Sequence, residues 1–220
     1  MKNKVFAVVS AHNEEKHIYN LIREIKKYVD EVIVVDDGSK DRTNELAEKG
    51  NAIVLKHMVN LGKGAAAKTG CDYAFGNNAD IVILIDADMQ HDPKEIPNFL
   101  EKIKKHDTVI AYRKINSSMP LILRFGNWFI NQTIKFLYGI KIRDSQCGYR
   151  AFTREAYKKL RWKASDYSME SEMIAKIGKN KLNFAEIPIE TIYSDKYKGT
   201  TIIDGIKIVF NLLIWRLNKI

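Results

Sequence analysis

Cysteine is scarce in this chain: Cys71 and Cys147 are the two cysteines in 220 residues, far apart and in no CxxC pattern. That excludes a disulfide framework and zinc-type spacing, and it points to a reducing compartment. Proline is rare too, with four residues. No Pro/Gly-rich linker, internal repeat or low-complexity tract divides the sequence. The expectation is one α/β domain over residues 1–200, with residues 201–220 as a C-terminal amphipathic helix. No apolar run reaches the roughly 20 residues that a spanning helix needs. Met1-Lys2-Asn3-Lys4 leads straight into a short apolar strand, without the apolar length or cleavage site of a signal peptide. A soluble or peripheral protein is expected.

Charge is unevenly supplied. Lys plus Arg number 36 against 27 Asp plus Glu, a net charge of +9. The excess favours an anionic partner: nucleic acid, an acidic membrane surface or a phosphorylated substrate. No RNP, KH, zinc or helix-turn-helix pattern accompanies it, so the expectation is no nucleic acid, with a non-catalytic basic binding module kept as an alternative.

The first half alternates strand and helix. Val5 to Val9 is a continuous apolar run, as in a parallel strand buried on both faces. Asn13 is placed to cap a helix that carries Ile18, Leu21, Ile22, Ile25 and Val29 at helical spacing, with Glu14 and Glu15 in its first turn. Strands follow at Glu31 to Val35, Ala52 to Leu55, Ile81 to Ile85 and Thr108 to Tyr112. Between them, helices are expected at Arg42 to Lys49, from Gly62-Lys63-Gly64 to about Phe75, and at Asp92 to Lys105. This order predicts a mostly parallel, Rossmann-like sheet flanked by helices, with ligands bound beyond the carboxyl ends of its strands. The polar clusters Ser10–Glu14, Asp36–Ser39 and Asp86–Gln90 lie at those ends.

Asp86-Ala87-Asp88-Met89-Gln90 is the most informative cluster. Its two carboxylates converge if the backbone turns there, and Gln90 adds a neutral oxygen. Oxygen-only ligation suits Mg²⁺ or Mn²⁺, which would neutralise a diphosphate and a departing nucleotide. Asp36-Asp37-Gly38-Ser39 offers a carboxylate to a base or ribose, and equally a turn in which Ser39 or Asp41 caps the next helix. Gly62-Lys63-Gly64 lacks the full phosphate-loop spacing and reads either as a phosphate contact or as a plain turn into a helix.

In their order, Ser10-Ala11-His12-Asn13-Glu14-Glu15, Val35-Asp36-Asp37-Gly38-Ser39, Gly62-Lys63-Gly64-Ala65 and Asp86-Ala87-Asp88-Met89-Gln90-His91 resemble the motifs of family 2 glycosyltransferases. Asp144-Ser145-Gln146-Cys147-Gly148-Tyr149-Arg150-Ala151-Phe152 resembles the acceptor-side motif of the dolichyl-phosphate mannose and glucose synthase branch. The resemblance covers roughly residues 5 to 200. It departs at Ser10-Ala11-His12, where relatives usually carry Pro and Tyr, and at Asp92-Pro93, where they often carry two prolines. It implies a GT-A fold, a nucleotide-sugar donor such as GDP-mannose or UDP-glucose, a divalent Mn²⁺ or Mg²⁺, and inversion at the anomeric carbon. Ser10, His12, Glu14, Val35 and Asp37 would line the nucleotide pocket, with Lys63 and Ala87 beside them. Asp86, Asp88 and Gln90 would hold the metal.

Arg113, Arg124 and Arg150 are candidates to meet acceptor phosphate oxygens, and Lys196 and Lys198 to close over the diphosphate. A polyprenyl or dolichyl phosphate, largely a dianion at neutral pH, needs positioning rather than a base. A sugar hydroxyl would need one, and Asp144 is then the candidate. Asp144 therefore carries two readings, an orienting group for the metal site or the arginines and a catalytic base for a soluble or glycan acceptor. The amphipathic stretches Leu121 to Ile140 and Ile202 to Leu217 fit a membrane interface, or else packing against the sheet. The first of these fits a cytoplasmic enzyme lying peripherally on the cytoplasmic face of a membrane.

Overall fold

The computed structural model describes residues 3–114, 121–190 and 202–218. Among them a seven-stranded sheet runs in the order β3-β2-β1-β4-β6-β5-β7. Its strands are β1 (Val5–Ala11), β2 (Glu31–Asp36), β3 (Ile53–Lys56), β4 (Ile81–Asp86), β5 (Thr108–Arg113), β6 (Arg150–Thr153) and β7 (Phe184–Ile189). β1 pairs parallel with both β2 and β4, β2 with β3, and β5 with β7. β6 enters antiparallel between β4 and β5. The sheet is thus mostly parallel, as expected, but its antiparallel insert comes from a segment too short for periodicity to reveal.

Both faces are covered, which explains the unbroken apolar strands. Alternate residues of β1 and β2 serve opposite sides of the sheet. Phe6, Val8, Ile33 and Val35 join one core with Ala66, Cys71 and Ala74 of α3 (Lys63–Gly76) and Met173 and Ile174 of α7 (Met169–Lys179). Ala7, Val9, Val32 and Val34 join the other with Ile18, Leu21 and Ile22 of α1 (Ile18–Ile25) and Ile96 and Phe99 of α4 (Ile96–Lys102). Cys71 and Cys147 are free and buried, one in each core.

Three expected boundaries move. Asn13 does not cap α1: it sits at φ +55°, and the helix begins at Ile18. Its side chain instead accepts from Lys40 N at 2.9 Å, and its N–H donates to Ser39 Oγ, so Asn13 ties the loop after β1 to the loop after β2. α2 (Thr43–Lys49) has Arg42 at its N-cap position, while the side chain of Asp41 takes the Thr43 N–H at 3.0 Å. The helix expected from Asp92 is split into a 3-10 turn, Pro93–Glu95, and α4, with Asp92 accepting from Lys94 N.

The two amphipathic stretches form α5 (Leu121–Tyr138) and α8 (Ile202–Leu217). Ile208 and Leu212 of α8 are buried, and Tyr138 donates its hydroxyl to Leu212 O at 2.7 Å. Two polar side chains of α8 reach the segment before α7: Lys207 pairs with Asp166, and Asn211 donates to Ser168 Oγ. Val209 and Trp215 pack partly against the core, while Ile203, Ile206, Phe210, Leu213 and Leu217 are left exposed.

Candidate active site

Register builds the crevice. Ser10 of β1 lies opposite Val35 of β2 on one side and Asp86 of β4 on the other, and Ala11 lies opposite Asp36. The loops after these strands therefore leave the sheet at one level, which brings the three polar clusters together.

On the β2 side, Asp37 is almost fully buried and its carboxylate is spent within the protein. It accepts from Leu61 N at 2.9 Å and Gly62 N at 2.8 Å, and His57 Nδ1 is 2.7 Å away. Asp37 thus anchors the loop into α3. Val35 is corrected, because its side chain is wholly buried beneath the sheet and its strand position points it at α3. Ser10 remains partly exposed at the crevice, and Glu14 is buried, with its N–H bound to Thr43 Oγ1. His12 Nδ1 lies 2.9 Å from the Asp37 carbonyl and Nε2 lies 3.1 Å from Asn13 Nδ2. A carbonyl only accepts, so Nδ1 carries the proton and Nε2 accepts from the amide.

Gly62-Lys63-Gly64 forms the turn into α3. Gly62 has φ +97°, and a Cβ there would meet Ser165 O at 2.4 Å. The nearby N–H groups are used internally: Gly62 N on Asp37, Ala65 N on Ser165 O and Ala66 N on Gly62 O. Trp162 Nε1 donates to Gly64 O. The side chain of Lys63, however, reaches the acidic turn.

That turn is bent by Met89, a non-glycine residue at φ +61°. Such a conformation is costly for a residue with a Cβ and marks a turn held by its surroundings. Ala87 is buried, while Asp86, Asp88 and Gln90 are partly exposed. Lys63 Nζ lies 2.8 Å from Asp86 Oδ1 and 3.0 Å from Oδ2, and 2.9 Å from Glu170 Oε1. Burial pushes the Asp86 carboxyl up, but the Lys63 charge and hydrogen bond, with the charge of Arg113 and the His91 ring, together hold the group below its ordinary range. Asp88 goes the other way, raised to about 6 by burial and by the charge of Asp86. His91 is buried, stacks on Tyr149 at 5.5 Å and is pushed down to about 4 by burial, so it is neutral.

The donor set fits a hard divalent cation. Two carboxylates and one amide oxygen sit on one bend, and besides the burial that chiefly raises Asp88, the repulsion from Asp86 adds to the rise and would be relieved by a cation. Among the described residues no group of three or more His, Cys, Asp or Glu is placed to hold a metal ion, so Asp86, Asp88 and Gln90 would form an open donor set. Such a site would leave positions for phosphate and water.

On the other flank, Asp144 is buried and grips Arg113. Nε donates to Oδ2 at 2.7 Å and Nη2 to Oδ1 at 3.0 Å, and Asn127 Nδ2 and Gln146 N add bonds at 3.1 Å. Arg124 is partly buried on α5. Arg150 is corrected: its guanidinium is fully buried and donates to the carbonyls of Cys147, Glu170 and Ser145 at 2.8–2.9 Å. It ties the Asp144–Arg150 turn to α7 and faces no acceptor. Lys196 and Lys198 lie outside the described residues.

Sequence reasoning missed Glu170, His57, His91 and Gly148. Glu170 reads as an ordinary acid in the first turn of a helix. Gly148 is required because a Cβ would stand 2.6 Å from Asp86 Oδ2 and 2.8 Å from Lys63 Nζ.

The UDP-N-acetylglucosamine–dolichyl-phosphate N-acetylglucosaminyltransferase of Methanococcus voltae is 34% identical, over 98% of this chain and 97% of that protein. The dolichyl-phosphate beta-glucosyltransferase ALG5D of Trichomonas vaginalis is 30% identical over 83% of this chain and 64% of its own length. The crystal structure of glucosyl-3-phosphoglycerate synthase from Mycobacterium tuberculosis, with Mn²⁺, UDP and product, superposes with a TM-score of 0.74 at 21% identity. It matches 98% of this chain and 80% of that one, a likeness of the GT-A fold. Residues 6–161 match the model of glycosyl transferase family 2, and the chain belongs to that family of glycosyltransferases.

Proposed function

We propose that this glycosyltransferase moves a hexose, with inversion and the help of a divalent cation, from a UDP-sugar to a polyprenyl phosphate at a membrane surface. The observation that carries the reading is the state of Asp144. A hydroxyl acceptor needs a base, yet both oxygens of Asp144 are committed to Arg113, Asn127 and the Gln146 N–H, and its carboxyl is held below the ordinary range. Burial opposes that direction, and the Arg113 charge together with the hydrogen bonds from Arg113 and the Gln146 N–H overcomes it. A phosphate dianion has no proton to surrender. Asp144 then acts by fixing Arg113, whose charge is felt at Asp86, beside the reacting centre.

In the step itself, an acceptor phosphate oxygen attacks the anomeric carbon as the bond to the donor diphosphate breaks, and the nucleoside diphosphate leaves with the electron pair. A divalent cation on the acidic turn supplies charge neutralisation for that leaving group. Two relatives named for dolichyl-phosphate transfer support the lipid acceptor, and one named for a UDP-sugar supports a UDP donor over GDP-mannose.

The outward face of α5 and α8 supports a peripheral membrane position. Phe125, Trp128 and Phe136 on α5 and Ile203, Ile206, Phe210 and Leu217 on α8 are exposed, with Phe136 at 89% and Leu217 at 80%. A patch of this kind marks an interaction surface. No helix among the described residues is long and apolar enough to cross a membrane.

The test is a transfer assay with a panel of UDP- and GDP-sugars, with and without Mn²⁺ and a short polyprenyl phosphate. Metal-dependent transfer to the lipid from a UDP-sugar is the expected result. Turnover only with a glycan hydroxyl would reverse the reading and return Asp144 to the role of base.

A further inference from the structure

We propose that the outward face of α5 and α8 is built for an anionic bilayer, with Lys135, Lys141, Lys181 and Arg216 forming a headgroup rim at one end of its apolar stripe. The inference rests on the membrane position proposed above and goes beyond it in naming the lipid chemistry.

Three observations carry it. Trp128, Phe129 and Phe136 on α5, and Phe210, Leu213 and Leu217 on α8, are exposed and recur at helical spacing. Exposed Lys135 adjoins Phe136 and exposed Arg216 adjoins Leu217, each in the last turn of its helix. Packing brings two more cations to the same end. The Tyr138 hydroxyl donates to Leu212 O at 2.7 Å, joining the end of α5 to α8, and the Arg216 charge acts on that hydroxyl. A Cβ at Gly178 of α7 would stand 2.9 Å from both Ile140 Cδ1 and Tyr138 O, so the end of α7 lies against the end of α5. Lys141 follows Ile140 and Lys181 follows α7, and both are exposed.

The third observation is a lack of acid. No Asp or Glu occurs from Leu121 to Arg143, from Met173 to Ala185 or from Gly205 to Ile220. A helix favours cations in its last turn, which accounts for Lys135 and Arg216 but not for Lys141 and Lys181, which lie beyond the helices. Lys176 and Lys207, by contrast, are spent on Glu172 and Asp166. A rim of one sign beside exposed aromatic rings fits lipid phosphates: the long stems lie along the apolar stripe while the charged heads meet the headgroups. Nucleic acid would use the cations but leave the apolar stripe in water.

Flotation of the full chain with vesicles of phosphatidylcholine, and of phosphatidylcholine containing phosphatidylglycerol, tests this. The wild type is expected to partition at least about tenfold more strongly onto the anionic vesicles and to lose that preference in high salt. The triple variant Lys135→Gln, Lys141→Gln, Lys181→Gln should weaken anionic binding by about thirtyfold or more. On neutral vesicles it should change binding by no more than about twofold, because the apolar stripe is untouched. A matched triple, Lys102→Gln, Lys104→Gln, Lys105→Gln, removes the same charge beside α4 on the other face of the sheet. It should leave anionic binding within about twofold. Circular dichroism checks each fold. Should the first triple fail to fold, Arg216→Gln alone decides, with a loss of about fivefold expected on anionic vesicles. Equal binding to the two vesicle types, or equal losses from the two triples, overturns the proposal while leaving the membrane position intact. A wild-type protein that binds neither vesicle overturns both.

Discussion

Arg113 holds Asp144 by a two-pronged grip, Nε on one carboxylate oxygen at 2.7 Å and Nη2 on the other at 3.0 Å, in a site where both side chains are largely buried. The relationship joins the end of β5 to the turn that leads into β6. Its geometry supports the orienting reading of Asp144, one of the two that the sequence left open, because a carboxylate in a fork of this kind is a poor proton acceptor.

Removing one partner leaves the other as an unpaired buried charge. Asp144→Asn should destabilise the protein by about 3–5 kcal/mol at neutral pH. A carboxyl held below its ordinary value of 3.8 contributes stability that is present above that value. The contribution is lost as pH falls through the folded-state value. Urea unfolding at several pH values should therefore show the gap between wild type and variant closing in acid, below about pH 4. Between pH 6 and 8 the profile of kcat/KM should carry no inflection from Asp144.

Gly62 combines a left-handed φ of +97° with a carbonyl, Ser165 O, 2.4 Å from where a Cβ would be. Neither the backbone nor the carbonyl can move cheaply. Gly62→Ala should cost about 2–4 kcal/mol, read as a lowered midpoint in calorimetry.

Gly148 presents the opposite case. The atoms that a Cβ would strike are the ends of side chains, Asp86 Oδ2 and Lys63 Nζ. Gly148→Ala should keep its fold at a cost of about 1 kcal/mol, since those ends can shift. Donor turnover should fall steeply, because they shift away from the reacting centre; stability and kcat measured side by side will separate the two effects.

Arg150 donates to three backbone carbonyls in the interior. Arg150→Met should cost roughly 3 kcal/mol or more through orphaned acceptors. Whatever fraction remains folded should show an unchanged KM for the lipid phosphate. A raised KM in well-folded protein would mean that Arg150 contacts the acceptor after all.

Phe136 and Ile203 are exposed, at 89% and 78%. Phe136→Glu and Ile203→Glu should leave thermal stability within about 0.5 kcal/mol of wild type, as surface changes usually do. Flotation with anionic vesicles should show weaker binding, and transfer to a short water-soluble acceptor should be retained. Unfolding by either change would favour the packing reading of these helices.

Much of the fold was legible because parallel strands buried on both faces leave long apolar runs, and helices over a sheet leave a 3.6-residue stripe. Val5 to Val9 and Ile81 to Ile85 could be read in that way, and so could Ile18, Leu21, Ile22 and Ile25. β6, with four residues, was too short to carry a period, and its antiparallel seat between β4 and β5 depends on partners distant in the chain. Asn13 looked like a helix cap because Asn is common there. The pull of the neighbouring loop, through Lys40 and Ser39, placed it elsewhere.

The sequence alone determined where chemistry could happen: the order of strands put three polar clusters at one edge, and a bend of oxygen donors at Asp86–Gln90 marked a place for a hard cation. Tertiary structure alone decided what each charge faces. Asp37, Arg150 and Glu170 are polar residues in motifs or helix starts, and each was turned inward by a partner distant in sequence: the loop before α3, the backbone carbonyl of Glu170, and Lys63. The reason is physical. Periodicity records only which side of an element is apolar, whereas a buried charge goes wherever the assembled fold supplies its counter-charge and hydrogen bonds.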